Sequence, residues 1–157
     1  MIIGTTRFNN DTWKENCAWR LSNKHSGCAY GVMKTMGIGI PLNSSVFVLE
    51  MNNSTNKIMG IGLVINCPDP LENVRVYKDY NYCCFLYKGK YRIDSSIFSK
   101  REEVIIRILE YLVFENKTHL KRGQGITQIP YKMIKKVLNC GMDLNKELEL
   151  MFKTRFT

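Results

Sequence analysis

Ser45-Val46-Phe47-Val48-Leu49-Glu50-Met51, then Asn52-Asn53-Ser54-Thr55-Asn56, then Lys57-Ile58-Met59-Gly60-Ile61-Gly62-Leu63-Val64-Ile65-Asn66 is the stretch that decides the fold. Two runs rich in β-branched and aromatic residues flank a short polar segment. Residues 45–51 and 58–66 therefore read as antiparallel strands around a turn. Gly60 and Gly62 sit inside the second run, where glycine marks a bulge or the close approach of another backbone.

Working outward, Cys67-Pro68-Asp69-Pro70 breaks the chain, and 74–77 and 82–87 read as further β segments. Lys88-Gly89-Lys90 then turns the chain into Tyr91-Arg92-Ile93. On the other side, the first forty residues are irregular and punctuated by glycine. Trp13 and Trp19 lie there in a segment suited to one or two helical turns.

The last third is helical. Ser99-Lys100-Arg101-Glu102 forms a capping box. Apolar residues then recur at Val104, Ile105, Ile108, Leu109, Leu112 and Val113, the spacing of one buried helix face. Pro130 can open a second helix that ends at Gly141, and Asp143 can cap a third. Strands first and helices last indicate α+β. One domain is expected over 1–157, β-rich over 1–95 and helical over 99–153. Its expected architecture is a small antiparallel β-barrel with an N-terminal helical segment and three C-terminal helices.

Composition excludes disorder, because 45% of the residues are hydrophobic and 24% charged. No apolar run approaches the length of a membrane span, and the first residues lack the apolar core of a secretion signal. The six cysteines are accordingly expected as reduced thiols inside the cell. The net charge is +9, and residues 116–142 hold six basic residues and no acid. A concentrated excess points to a binding face for a polyanion.

Within that stretch, Lys117, His119, Lys121 and Arg122 precede Gly123 and Gly125, and Thr127 follows. Glycines in a basic loop leave backbone N–H groups free to meet phosphate, and Thr127 adds a hydroxyl. Lys132, Lys135 and Lys136 extend the charge onto the next helix. Lys88, Lys90 and Arg92 would form a secondary basic face. A Gly-Lys-Ser/Thr phosphate loop is missing, and no cofactor is expected. The opposing reading of the basic loop is a solvated connection whose lysines only keep the protein soluble.

From Trp13 through Ala29-Tyr30-Gly31 to the hairpin 46–64, the chain resembles the PUA-like superfamily, particularly its YTH and EVE branches. That resemblance implies a small, partly open β-barrel that binds RNA or modified bases. It also implies a base pocket, for which Trp13, Trp19 and Tyr30 are the candidates; each is equally suited to core packing. Glu50-Met51-Asn52-Asn53 and His119 to Thr127 also resemble proteins of large nucleocytoplasmic DNA viruses, which implies a reducing cytoplasmic setting and no particular activity.

Other chemistry is poorly supplied. Cys17, His25 and Cys28 match no known zinc spacing, and no metal site is expected. His25 and His119 would have to meet to act as a ribonuclease acid and base. Glu50, Asp69, Glu72, Asp79 and Asp94 show no spacing that pairs them for metal-dependent hydrolysis. Tyr77, Tyr80, Tyr82, Tyr87 and Tyr91 alternate with basic residues and can stack bases or pack a sheet. A helix-turn-helix over the last two helices is rejected, because Glu147 and Glu149 on the second would face phosphate. The function expected is non-catalytic nucleic-acid binding, RNA ahead of DNA. The alternatives are a protein-interaction module, and after it a metal-independent ribonuclease.

Overall fold

In the computed structural model, which describes residues 1–70 and 74–157, the hairpin is the middle of a larger mixed sheet. The strands are β1 (Ile2–Phe8), β2 (Cys28–Val32), β3 (Ser45–Asn52), β4 (Lys57–Ile65), β5 (Asp69–Pro70), β6 (Phe85–Gly89), β7 (Tyr91–Asp94) and β8 (Thr127–Gln128). The helices are α1 (Asn10–Ser22), α2 (Lys100–Glu110), α3 (Tyr131–Asn139) and α4 (Leu144–Phe156), and a single π turn over Tyr111–Glu115 continues α2.

One sheet runs β7-β4-β3-β1-β8 and the other β2-β6-β5. The expected barrel does not form. Its place is taken by an open five-stranded sheet, because β1 pairs in parallel with β3, Ile2 opposite Val46 through Phe8 opposite Asn52. Parallel neighbours need a long crossover, and here α1 and β2 provide it. The N-terminal run is therefore a buried strand, not irregular chain. The expected strand over 74–77 is likewise replaced by bends, and 80–82 form a short 3-10 turn before β6. Glu72 lies outside the described residues.

The large sheet is covered on both faces, which explains why β3 reads as an unbroken apolar run. Phe47, Leu49 and Met51 face one way and pack with Leu109, Leu148 and Phe152 from α2 and α4. Val46 and Val48 face the other way and pack with Tyr30, Val32 and Leu86 of the small sheet. Side-chain alternation along one strand thus builds two cores.

Glu50 faces the second core and is fully buried. Arg92 of β7 grips it with Nε at 2.9 and 3.0 Å and Nη2 at 2.7 Å, and Tyr30 donates its hydroxyl to Oε1 at 2.8 Å. Arg92 also donates to Asp94 at 2.7 Å. Gly60 and Gly62 make room for this cluster. A Cβ on Gly60 would lie 2.5 Å from Arg92 Nη2 and 2.6 Å from Glu50 Oε2, and one on Gly62 would collide with Tyr30 and Cys28. The strand register also shifts between Leu49 and Met51, a bulge at Glu50.

Candidate nucleic-acid interface

The carboxyl ends of the parallel strands β1 and β3 converge with the start of α1. Open sheets commonly bind ligands beyond strand ends of this kind. A cleft of about 210 Å³ lies there. Its floor and walls come from Arg7 and Phe8 of β1, Gly31 and Val32 of β2, and Tyr77 and Tyr82. Thr12, Asn53 and Gly125 complete the rim. Among the described residues none in the lining is a carboxylate.

Each wall has a local cause. Phe8 ends a strand and is held edge-on to Trp13, with ring centroids 5.1 Å apart. Tyr77 is buried by the second core, and its hydroxyl accepts from Asn16 Nδ2 at 3.0 Å. Burial first of all pushes the Tyr77 phenol far above its ordinary pKa, so it stays neutral. Tyr82 stands edge-on to Tyr77 at 6.2 Å and is half-exposed, which leaves ring surface toward the cleft.

At the helix start beside the cleft, the N–H groups of Asn10 and Thr12 are already engaged. Asn9 accepts from the Thr12 N–H at 2.8 Å, and Thr12 accepts from the Asn9 N–H at 3.0 Å, a reciprocal capping box. The Asn10 N–H donates to Ser54 at 3.1 Å, and Asp11 adds a negative charge to the first turn. Among the described lining residues, Arg7 is the cation that can meet an anion in the cleft.

The basic loop reaches the cleft through its backbone. Arg7 Nη1 and Asn53 Nδ2 both donate to the carbonyl of Lys121, at 3.4 and 2.9 Å. Gly125, with φ of 68°, lines the cleft in a conformation that suits glycine. Lys117, His119 and Arg122 are exposed, and Lys121 extends its ammonium to 5.9 Å from the Phe114 ring. Thr127, expected to offer a hydroxyl to phosphate, donates it to the Gln124 carbonyl at 3.4 Å and closes the loop around Gly123. Lys132, Lys135 and Lys136 are exposed on α3 and line neither this cleft nor the larger one beside it.

That larger cleft, of about 400 Å³, lies between Lys34–Ile40 and Gly123–Gln128. Among the described residues it too has no carboxylate in its lining.

Several expected site residues fall elsewhere. Tyr30 is buried at 1% exposure and bonded to Glu50, so it is a core residue and no wall of an open base pocket. Arg92 leaves the proposed basic face. Burial opposes its charge, but the Glu50 carboxylate more than offsets that and holds its pKa above the ordinary value. Trp13 stands behind Phe8 with the guanidinium carbons of Arg20 and Arg92 at 5.7 and 5.5 Å from its ring. Trp19 is half-buried and edge-on to His25 at 6.2 Å. Neither tryptophan is among the described residues that line these two clefts. Lys88 and Lys90 are exposed, but strand pairing sets Gly89 opposite Cys28 and Phe85 opposite Val32. They lie roughly 13 Å of strand away from the cleft end of the small sheet.

Burial and the nearby Glu50 push the Cys28 thiol up to about 12, so it is neutral and a poor nucleophile. His25 Nε2 is 3.0 Å from the Cys28 carbonyl, whereas His119 is exposed in the basic loop. Among the described residues no three His, Cys, Asp or Glu side chains gather as a metal would need. Glu50 and Asp94 do converge, on Arg92. The sequence reading missed Arg7, Asn53 and the cleft itself. Their signal in the sequence is Arg7-Phe8-Asn9 at a strand-to-helix junction, which the glycine and threonines of β1 obscure.

Among the described residues no helix is long and apolar enough to cross a membrane. No family model matches the chain, and no curated protein or solved structure is significantly similar to it, so the site stands on its geometry alone.

Proposed function

We propose that this protein binds single-stranded nucleic acid without turning it over, RNA ahead of DNA. One base enters the cleft at the end of β1, and flanking phosphates lie on the basic loop. The observation that carries this reading is the joint at Lys121. Arg7 and Asn53, which line an aromatic cleft with no carboxylate among its described lining residues, both hold the backbone of the most basic loop in the chain. Base site and phosphate site thus become one surface.

The chemistry fits a strand better than a duplex. A cleft of about 210 Å³ is smaller than the roughly 300–1,000 Å³ of sites for drug-sized ligands and suits one unstacked base. Tyr82 offers the ring face, a contact of about 1–3 kcal/mol per base. Thr12 and Asn53 on the rim can bond a ribose 2′-hydroxyl, the group that separates RNA from DNA. Lys121 and Arg122 supply charge without sequence preference.

The test is a titration by fluorescence anisotropy of single-stranded RNA, single-stranded DNA, duplex RNA and duplex DNA, with Tyr82→Ala and Lys121→Ala/Arg122→Ala alongside. Single-stranded RNA should bind best, without cleavage. Tyr82→Ala should weaken it by about 1–3 kcal/mol. Binding to none of the four would sink the reading and leave a protein partner as the function to pursue. Strand cleavage that disappears in His119→Ala would replace it with a ribonuclease.

A further inference from the structure

The two clefts lie side by side along the same two chain segments. Val32 lines the smaller cleft and Lys34 the larger; Gly125 lines the smaller, and Gly123 and Gln124 the larger. The ridge between them is where Gly125 meets 32–34: a Cβ built on Gly125 would lie 3.5 Å from the Lys34 carbonyl and 3.6 Å from Val32 Cβ. Gly125 itself carries no side chain, so this ridge is low. We infer that the larger cleft takes the nucleotide next to the one in the smaller cleft, the bound strand crossing at Gly125. This inference rests on the nucleic-acid reading above and adds to it a second subsite and the path of the strand between the two.

The larger cleft has the chemistry for that occupant. Lys34 brings a cation within reach of a phosphate, and among the described residues neither cleft is lined by a carboxylate that would repel one. Gln124 and Gln128 are exposed amides, able to donate to and accept from a base edge. Ile38, between the lining glycines Gly37 and Gly39, is fully exposed at 105% and offers an apolar face at the rim. Gly37 has no atom within 4 Å of a built Cβ, so the rim above it is open.

The experiment compares a ribonucleoside monophosphate with the matching dinucleotide and tetranucleotide, by calorimetry, on the wild type and on Lys34→Ala/Gln128→Ala. Both altered side chains are exposed, and circular dichroism and thermal melting verify folding. The wild type should bind the dinucleotide at least about tenfold more tightly than the monophosphate. The double variant should lose that gain while its affinity for the monophosphate is unchanged. Monophosphate binding with no gain on lengthening, or a gain that survives in the variant, overturns the second subsite and leaves the first reading standing. Failure of every ligand to bind overturns both.

Discussion

Glu50, buried on β3, joins the two sheets by accepting from Tyr30 of β2 while Arg92 of β7 holds its charge. An acid in the middle of Val-Phe-Val-Leu-Glu-Met is visibly anomalous, and burial would make it costly without partners. Arg92 and Tyr30 supply them. Glu50→Ala would leave a guanidinium at 5% side-chain exposure without its main counter-charge. A loss of about 3–5 kcal/mol is expected from urea denaturation, and a loss under 1 kcal/mol would mean that water or Asp94 compensates. The glycines opposite are constrained by the same cluster. Gly62→Ala should destabilise by about 1–3 kcal/mol through the clash with Tyr30 and Cys28, whereas Gly37→Ala, in open space, should change stability by no more than about 0.5 kcal/mol. The presence of Gly60 and Gly62 was readable as a sign of close approach. What approaches them was not, because Arg92 lies 42 residues from Glu50 and Tyr30 lies 20.

At the scale of elements, the C-terminal helices are joined by an ion pair with a pH signature. Arg155 of α4 reaches both Glu102 oxygens at 2.6 Å, across the capping box that starts α2. The guanidinium, helped by the Ser99 bonds, holds the Glu102 carboxyl down at about 2. A carboxyl depressed in the folded state binds its proton less readily there than in the unfolded chain. Its contribution is therefore full above the ordinary value of about 4.3 and is lost as pH falls toward 2. Urea midpoints of wild type and Glu102→Gln should differ near neutral pH and converge as pH falls toward 2. A constant difference would mean that the pair is held by packing alone. Local elements of this kind were legible: the Ser99 box, the Asp143 cap and the left-handed Gly141 after α3 each follow from side chains within a few residues. β1 was not, because Ile-Ile-Gly-Thr-Thr-Arg-Phe mixes glycine and threonine into its run and pairs with residues more than forty positions away.

For the whole molecule, the excess of positive charge has a measurable consequence. Binding of a single strand should weaken with salt by a slope of about 0.7 per phosphate neutralised, and Lys121→Ala/Arg122→Ala should flatten that slope by about 1.4. An unchanged slope with weaker binding would place the phosphates elsewhere, for instance on α3. The basic stretch 116–142 was plain in the linear chain because charge is a property of composition. Its meaning was not, since Tyr30 and Arg92, taken as pocket and face, are spent on Glu50, while Arg7 and Asn53 are the residues that join loop to cleft. By itself the sequence determined what neighbours in the chain can decide: the 45–65 hairpin, the helix caps and the concentration of basic residues. Only the tertiary structure decided that β1 enters the sheet parallel to β3, which leaves the sheet open and sets a cleft at the strand ends. Such pairing is chosen by which apolar faces can be buried together, and that is a property of distant residues meeting, not of any local run.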